Sequence, residues 1–201
     1  DADDEDEFGF KAGTAGDEPE DDLFEPVAPP ATSSATSEEA ARIRRRVTEG
    51  IDRALSEKEI WFVATGAEEA GTWGMRALLE AYPDELHDAV IINIDNVGAG
   101  TVTCVTDEGM ARRYRSDRRL LSQAKRTARE NGLPIKTRPY RGLSTDATPA
   151  LARGFRAMSV MAFDINGRLP DWHWHTDTIE NVSPVSVEAA ATFVTTLLRD
   201  L

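Results

Sequence analysis

The chain has 201 residues, a formal net charge of −13 and a hydrophobic fraction of 40%. This length is within the size of one domain and is enough to bury a real core. No apolar run approaches the ~18 residues of a membrane-spanning helix, and no basic-then-apolar signal peptide is present, so a cytoplasmic location is the default expectation. The single cysteine, Cys104, excludes an internal disulfide, and its position in an apolar run predicts a buried strand residue.

The acidity is concentrated at the N-terminus. Residues 1–25 hold twelve acids and one base, which leaves a charge of only −2 for the remaining 176 residues. Such a stretch cannot bury enough apolar surface to order itself, and the Pro-, Ser- and Thr-containing residues 28–34 are typical of a linker. We therefore expect residues 1–36 to be a disordered tail and linker and residues 37–201 to be the folded domain.

The predicted elements begin with a helix that starts at Ser37 and continues to about residue 55, with an apolar residue at every fourth position. The apolar run Ile60–Ala64 then predicts a buried strand. A second helix is predicted over residues 71–82, because Pro83 ends its pattern. Its inward-facing residues are expected to be Trp73, Ala77, Leu78 and Tyr82.

Strands and helices alternate through the rest of the chain. Short apolar runs predict strands at residues 90–94, 101–105, 135–138 and 157–163. Helices are predicted at residues 117–131, 149–153 and 185–201. Apolar strands separated by helices indicate an α/β fold with a mostly parallel central sheet flanked by helices.

Acidic side chains follow two of these strands directly. Glu68 and Glu69 come after the first strand, Asp95 follows the strand at 90–94, and His173 lies later in the chain. The start of a helix favours acidic residues, which would explain one solvated glutamate. It would not explain a pair after a buried strand, because two buried carboxylates require a compensating cation or proton. A simple turn at Asp95 is opposed by the largely apolar run of five residues before it. These residue types are the ones that a metal-activated hydrolase needs, and ligands of open α/β sheets bind at the carboxyl ends of the strands.

Three stretches, FVATGAEEAGTWG, INIDNVG and WHWHTDTIENV, occur in the chain in that order. They resemble the signature stretches of the zinc-dependent exopeptidases of the aminopeptidase S and aminopeptidase Y type, a family that also has carboxypeptidase-like and glutaminyl-cyclase-like branches. The resemblance covers residues 59–201, about two thirds of the chain. It implies a three-layer sandwich with an α/β fold and zinc as the cofactor.

The resemblance also implies a role for each candidate residue. Glu68 would be the general base that activates metal-bound water, and Glu69, Asp95 and His173 would be metal ligands. His173 is preferred over His175 because family members place the ligand histidine four residues before an Asp-Thr pair, which this chain has at residues 177–178. Asp177 is predicted either to orient His173 as a hydrogen-bond acceptor or to serve only in a turn.

Two positions near the expected pocket depart from the family pattern. The residue before the ligand histidine is often a tyrosine in the family, but here it is Trp172, whose indole N–H can donate a hydrogen bond but cannot ionise. The stretch Ser144-Thr145-Asp146 resembles a Ser-Asp stretch at the pocket wall. Its usual following histidine is replaced by Ala147, so no catalytic role is assigned to it.

A larger departure lies upstream of the glutamate pair. Family enzymes use two zinc ions and need a further histidine and a bridging aspartate there, whereas this chain has no histidine before His87. We therefore expect the domain to be incomplete on its N-terminal side and to hold one zinc ion or fewer well. His87 itself is predicted to be a solvated residue at a helix end.

The resemblance implies a metal-dependent, aminopeptidase-like exopeptidase that hydrolyses a terminal peptide bond of a peptide or aminoacyl substrate. No nucleic-acid partner is expected. Two alternatives stay open: a non-catalytic binding or interaction domain that keeps part of the metal site, and a single-zinc amidohydrolase or cyclase on the same fold. A His-x-Asp strand end upstream would discriminate an active exopeptidase from the binding domain.

Overall fold

A computed structural model describes residues 58–201, together with seven helical positions earlier in the chain (38, 41, 42, 44, 45, 48 and 49). Those seven positions agree with the helix predicted from residue 37. The apolar positions of that helix and the acidic tail lie outside the described residues. Of the helices within the described part, none has both the length and the apolar character needed to cross a membrane.

The described part alternates helices and strands. Its helices are α1 (Trp73–Ala81), α2 (Pro83–Leu86), α3 (Arg118–Glu130), α4 (Ala147–Ala152) and α5 (Pro184–Asp200), with a 3₁₀ turn at Ile179–Asn181. Its strands are β1 (Val90–Ile94), β2 (Thr101–Gly109), β3 (Tyr114–Arg115), β4 (Lys136–Arg141) and β5 (Arg156–Phe163). Every element predicted from residue 71 onwards is therefore confirmed, with ends that differ by at most four residues, whereas α2 and β3 were not predicted.

The five strands form one sheet in the order β1-β5-β2-β3, and β4 also pairs with β2. β5 runs parallel to β1, in a register that extends from Val90 opposite Arg156 to Ile94 opposite Val160. β2 runs parallel to β4 but antiparallel to β3 and β5. The sheet is therefore mixed rather than mostly parallel.

The short connection between β1 and β2 explains this difference from the prediction. Only residues 95–100 join the two strands. A parallel strand must start again at the opposite end of the sheet, which normally requires a crossover of a dozen or more residues. With six residues the chain can only turn back, so β2 runs antiparallel to β5 and hence to β1.

Helices cover both faces of the sheet, as the prediction of an α/β fold requires. On one face, α3 and α5 pack against Met158 and Val160 of β5 in the larger core cluster. On the other face, α1 and α4 pack around Ala157. Since successive side chains of a strand point to opposite faces, β5 supplies both cores.

The predicted buried strand Ile60–Ala64 is wrong. The segment has no regular secondary structure and pairs with no described strand, and the Phe62 side chain is 71% exposed. Trp61 instead packs edge-on against Tyr82, with ring centroids 5.4 Å apart. An apolar run forms a strand only where a neighbouring strand exchanges backbone hydrogen bonds with it, and no described strand does so with residues 60–64.

The predicted inward face of α1 is only partly correct. Met75 and Leu79 are the buried residues of this helix, Leu78 is partly buried, and Trp73 is 61% exposed. Met75 and Leu79 pack against Ala150 of α4. The neighbouring helix therefore decides which side of α1 faces inward.

Candidate metal and catalytic site

Glu68 and Glu69 lie in a tight turn that leads into α1. The backbone amides of Gly71 and Thr72 both donate hydrogen bonds to the Glu68 carbonyl, at 3.0 and 2.8 Å. Ala67, directly before the pair, has a φ of 55°, in the left-handed region that non-glycine residues seldom adopt. Unusual backbone of this kind persists only where the surrounding structure holds it.

Close backbone packing holds this turn against the start of α1. The amide of Gly74 donates a hydrogen bond to the carbonyl of Gly66 at 2.9 Å. A Cβ atom on Gly74 would lie 2.4 Å from that carbonyl oxygen, which is far inside van der Waals contact. The turn that carries the glutamate pair therefore requires glycine at position 74.

Asp95 lies at the carboxyl end of β1. Its backbone amide donates a hydrogen bond to the carbonyl of Val160 in β5 at 3.1 Å, and its Oδ1 accepts one from the Asn96 side chain at 3.0 Å. Asn96 has a φ of 49°, so a left-handed residue lies beside this acid as well. Burial raises the pKa of Asp95 above its ordinary value, with a further increase from the charge of Asp146 and a partial reduction from the Asn96 backbone hydrogen bond.

His173 meets Glu69 although the two residues are 104 positions apart in the chain. The distance from the imidazole Nε2 to Glu69 Oε1 is 2.6 Å. The imidazole also stacks on the Trp172 ring with a centroid separation of 4.0 Å, which limits its orientation. His175 instead lies beside Trp174, and the Asp177 amide donates to the Trp174 carbonyl within the same turn.

Negative charge accumulates around Glu68. Partial burial and the neighbouring charges of Glu69, Asp95 and Asp146 raise the pKa of Glu68 to about 7, against an opposing effect of His173. A carboxyl group with this pKa can both accept and release a proton near neutral pH. Of the described acids around the site, Glu68 therefore has the property that a general base requires.

Asp146 belongs to this cluster, although the sequence assigned it no role. Its side chain accepts a hydrogen bond from the Thr65 hydroxyl, and the residue is only 5% exposed. Its other oxygen, Oδ1, is buried and accepts no hydrogen bond from any described residue. The signal available in the sequence was the resemblance of residues 144–146 to a stretch at the family's pocket wall.

Tyr140 is a second residue that the sequence did not single out. It is buried in β4, and burial raises the pKa of its phenol, followed by the negative charges of Asp95, Glu68 and Glu108. The phenol therefore stays protonated at neutral pH and adds no negative charge to these carboxylates.

A buried polar network supports the loop that contains Asp146. Glu108 of β2 is 1% exposed, and its carboxylate accepts hydrogen bonds from the hydroxyls of Thr145, Thr148 and Ser159, at 2.8, 2.5 and 2.7 Å. Three donors satisfy a carboxylate that would otherwise be costly to bury. Since Thr145 directly precedes Asp146, this network holds Asp146 in position.

The donor set fits a zinc site only in part. Glu69 and His173 supply a carboxylate oxygen and an imidazole nitrogen, both ordinary zinc ligands, at one place. Across residues 58–201 and the seven earlier positions, however, no three His, Cys, Asp or Glu side chains form a group that could hold a metal ion. Asp95 is close enough for its charge to affect Glu68, but it does not complete such a group with Glu69 and His173.

Comparison with known proteins supports the fold. No curated protein matches the chain. Among solved structures, it is similar to BSAP, a zinc aminopeptidase from Bacillus subtilis, with a TM-score of 0.54 and 22% identity over 67% of this chain and 34% of that chain. It is also similar to LapA from Legionella, with a TM-score of 0.52 and 15% identity over 76% of this chain and 44% of that chain. A glutaminyl cyclase from an Acidobacteriales bacterium gives a TM-score of 0.48 at 17% identity, over 64% of this chain and 45% of that chain.

The chain thus spans between about a third and less than half of the length of these structures. The sequence profile of peptidase family M28 matches residues 31–198, which is most of the chain. The matched span contains the glutamate pair, Asp95 and His173. The chain therefore belongs to peptidase family M28.

Proposed function

We propose that the protein is a metal-dependent exopeptidase of the aminopeptidase type that hydrolyses a terminal peptide bond with zinc as its cofactor. The observation that carries this proposal is the contact between Glu69 Oε1 and His173 Nε2 at 2.6 Å, next to a glutamate with a pKa of about 7. Membership of peptidase family M28 supports peptide-bond hydrolysis as the reaction. The fold shared with a zinc aminopeptidase supports the amino terminus as the end of the substrate that is cleaved.

The residues of the site divide into two roles under this proposal. Glu69 and His173 would hold zinc. Asp95 would be a further ligand if a residue outside the described part of the chain supplies the remaining ligand. Bound zinc would polarise the scissile carbonyl and increase the acidity of water. Glu68 would take the proton of the attacking water on its carboxylate and return it to the leaving amine.

Neighbouring residues would keep these groups in working geometry. The Trp172 ring stacks on the His173 imidazole and limits its rotation. This matters because Glu69 is the only hydrogen-bond partner of the imidazole among the described residues. Asp146 increases the proton affinity of Glu68 through its charge. Peptides or aminoacyl compounds with a free amino terminus are the proposed substrates, and the acidic cluster is complementary to that ammonium group.

The test compares Glu68→Gln with Glu85→Gln in the zinc-loaded full chain. The amide keeps the size of the side chain but cannot accept a proton, so we expect Glu68→Gln to lose roughly 10²–10⁴ in the hydrolysis rate of an aminoacyl reporter. Glu85, an exposed acid of α2, is the matched control and should leave the rate unchanged. Normal turnover by Glu68→Gln would contradict the proposal, provided that both variants bind zinc as the parent does.

The second candidate function is a non-catalytic binding domain on the same fold. The observation on its side is that the described residues bring two metal-ligand side chains into contact rather than three. This candidate predicts that the zinc-loaded protein has no turnover on any aminoacyl reporter while it still binds peptides, a result that calorimetric titration with a peptide would detect.

A further inference from the structure

A cleft of about 260 Å³ lies between α3 and the chain that leads into β4. Its apolar lining, called the floor below, consists of Cys104, Ala128, Leu133 and Ile135. Cys104 is 0% exposed and Ala128 is buried, whereas Leu133 and Ile135 are partly exposed and supply the apolar surface that a ligand can reach. No residue of the candidate metal site lines this cleft, which is called the α3–β4 cleft below.

Two exposed cationic side chains also line the α3–β4 cleft. Lys125 and Arg129 are four residues apart on α3, so they lie on the same side of the helix, and both are exposed. Among the described residues neither forms an ion pair. Like charges at this spacing repel each other, and an anion between them would remove that repulsion.

Lys125 is close to the floor of the cleft. Burial raises the pKa of the Cys104 thiol to about 12, and the charge of Lys125 opposes that increase. Lys125 therefore lies near enough to Cys104 for its charge to act on the thiol. Thr137 adds a hydroxyl to the lining.

The segment that contributes α3 and β4 is basic although the whole chain is acidic. Residues 112–141 contain eleven bases and two acids, a local charge of +9 within a chain of net charge −13. Five of those bases lie on α3, which has one acid, Glu130. Arg113 and Arg141 of this segment pair with Asp107, so the bases of α3 are the ones that attract anions to the apolar surface of the cleft.

We propose that the α3–β4 cleft binds a small organic anion, with its anionic group between Lys125 and Arg129 and a short apolar stem on the floor. The guanidinium of Arg129 matches the two oxygens of a carboxylate or a phosphate, and Lys125 supplies a second charge. An ion without a stem would leave the apolar floor uncovered, and a neutral apolar molecule would leave the two cations unpaired. This binding site is independent of the proposed peptidase activity.

The test titrates the full chain by calorimetry, at constant ionic strength, with acetate, butanoate and hexanoate. If the stem enters the cleft, affinity should rise about fourfold for each added methylene, which corresponds to ~0.8 kcal/mol per buried methylene. Hexanamide, which has the stem without the charge, should bind more weakly than hexanoate by about tenfold or more. Inorganic phosphate, which has the charge without the stem, should bind more weakly than hexanoate.

A matched pair of double variants separates the cleft from the general charge of the helix. The first double variant, Lys125→Gln with Arg129→Gln, should weaken hexanoate binding about tenfold or more. The second, Arg118→Gln with Arg119→Gln, removes the same charge from the same helix and should change the affinity for hexanoate little. In the parent protein, hexanoate should shift the methyl NMR signals of Leu133 and Ile135.

Three results would overturn the proposal: affinity that does not depend on stem length, equal losses in both double variants, or no shift of the two methyl signals. A further arm identifies the source of the anion by comparing hexanoate with a tetrapeptide that ends in leucine. Binding of hexanoate alone would assign the cleft to free organic acids, binding of both would extend it to peptide carboxyl termini, and binding of neither would overturn it.

Discussion

The hydroxyl of Thr65 donates a hydrogen bond to Asp146, a residue 81 positions later in the chain. This bond joins the segment that leads to the glutamate pair to the loop that the Glu108 network supports. Asp146 thereby lies close enough to Glu68 for its charge to raise the pKa of that side chain. The acidic site thus depends on a residue with no assigned part in the zinc ligand set.

The first prediction concerns Asp146→Asn in the metal-free protein. Removal of one negative charge should lower the pKa of Glu68 towards its ordinary value, because that charge disfavours ionisation of Glu68. Carboxyl ¹³C NMR titration of Glu68 measures the change. Asp84→Asn, which removes an exposed charge from α2, is the control, and an equal shift in both variants would contradict a specific effect of Asp146.

The second prediction concerns the pH dependence of stability in the metal-free protein. The pKa of Glu68 is raised from 4.5 to about 7 by folding, so the folded state binds this proton more tightly than the unfolded state does. The resulting stabilisation is complete below pH 4.5 and is lost as the pH rises through about 7. Since Glu68 is only partly buried, solvent screening reduces this loss to on the order of 1 kcal/mol.

Urea unfolding at several pH values, with a chelator present, measures this component of the free energy of unfolding. Glu68→Gln has no ionisable group at the position, so the component should disappear and the variant should become relatively more stable above pH 7. Parallel curves of unfolding free energy against pH for the parent and the variant would contradict this prediction, because they would show that Glu68 has the same pKa in the folded and unfolded states.

The third prediction concerns zinc affinity. Glu69→Gln and His173→Asn should each weaken zinc binding by more than about tenfold, since loss of even an outer partner of a metal ligand costs about that much. His175→Asn is the matched control, because it removes a neighbouring imidazole that contacts Trp174 rather than Glu69. Elemental analysis after dialysis gives the occupancy, and we expect fewer than two zinc ions per parent chain. Two tightly held ions, or equal losses in all three variants, would contradict this assignment.

The fourth prediction compares two glycines of the glutamate turn. Alanine normally favours a helix over glycine, but in Gly74→Ala the new Cβ would lie 2.4 Å from the Gly66 carbonyl oxygen, so we expect destabilisation of about 1–3 kcal/mol. Gly66→Ala meets no atom within 4 Å and should change stability by less than about 0.5 kcal/mol. Thermal unfolding measures both, and an unchanged melting temperature for Gly74→Ala would show that the turn can relax.

Local patterns predicted most of the elements because they depend on nearby residues. The helix predicted at 117–131 is present as α3, where the Asp117 side chain caps the first turn by accepting from the Leu120 amide at 2.8 Å. Cys104 is fully buried in β2, and His87 is an exposed residue at the end of α2, both as predicted. A cap, an apolar period and a turn residue each act within a few positions of the chain.

The sequence by itself determined the family signatures, the α/β alternation and the three stretches that carry Glu68, Glu69, Asp95 and His173. Tertiary structure decided that residues 60–64 are not a strand, that the sheet is mixed, and that Asp146 joins the acidic cluster. The physical reason is the same in each case. Strand pairing, the electrostatic effect of Asp146 on Glu68 and the contact between Glu69 and His173 depend on groups that are far apart in the chain, and only folding brings such groups within a few ångströms of each other.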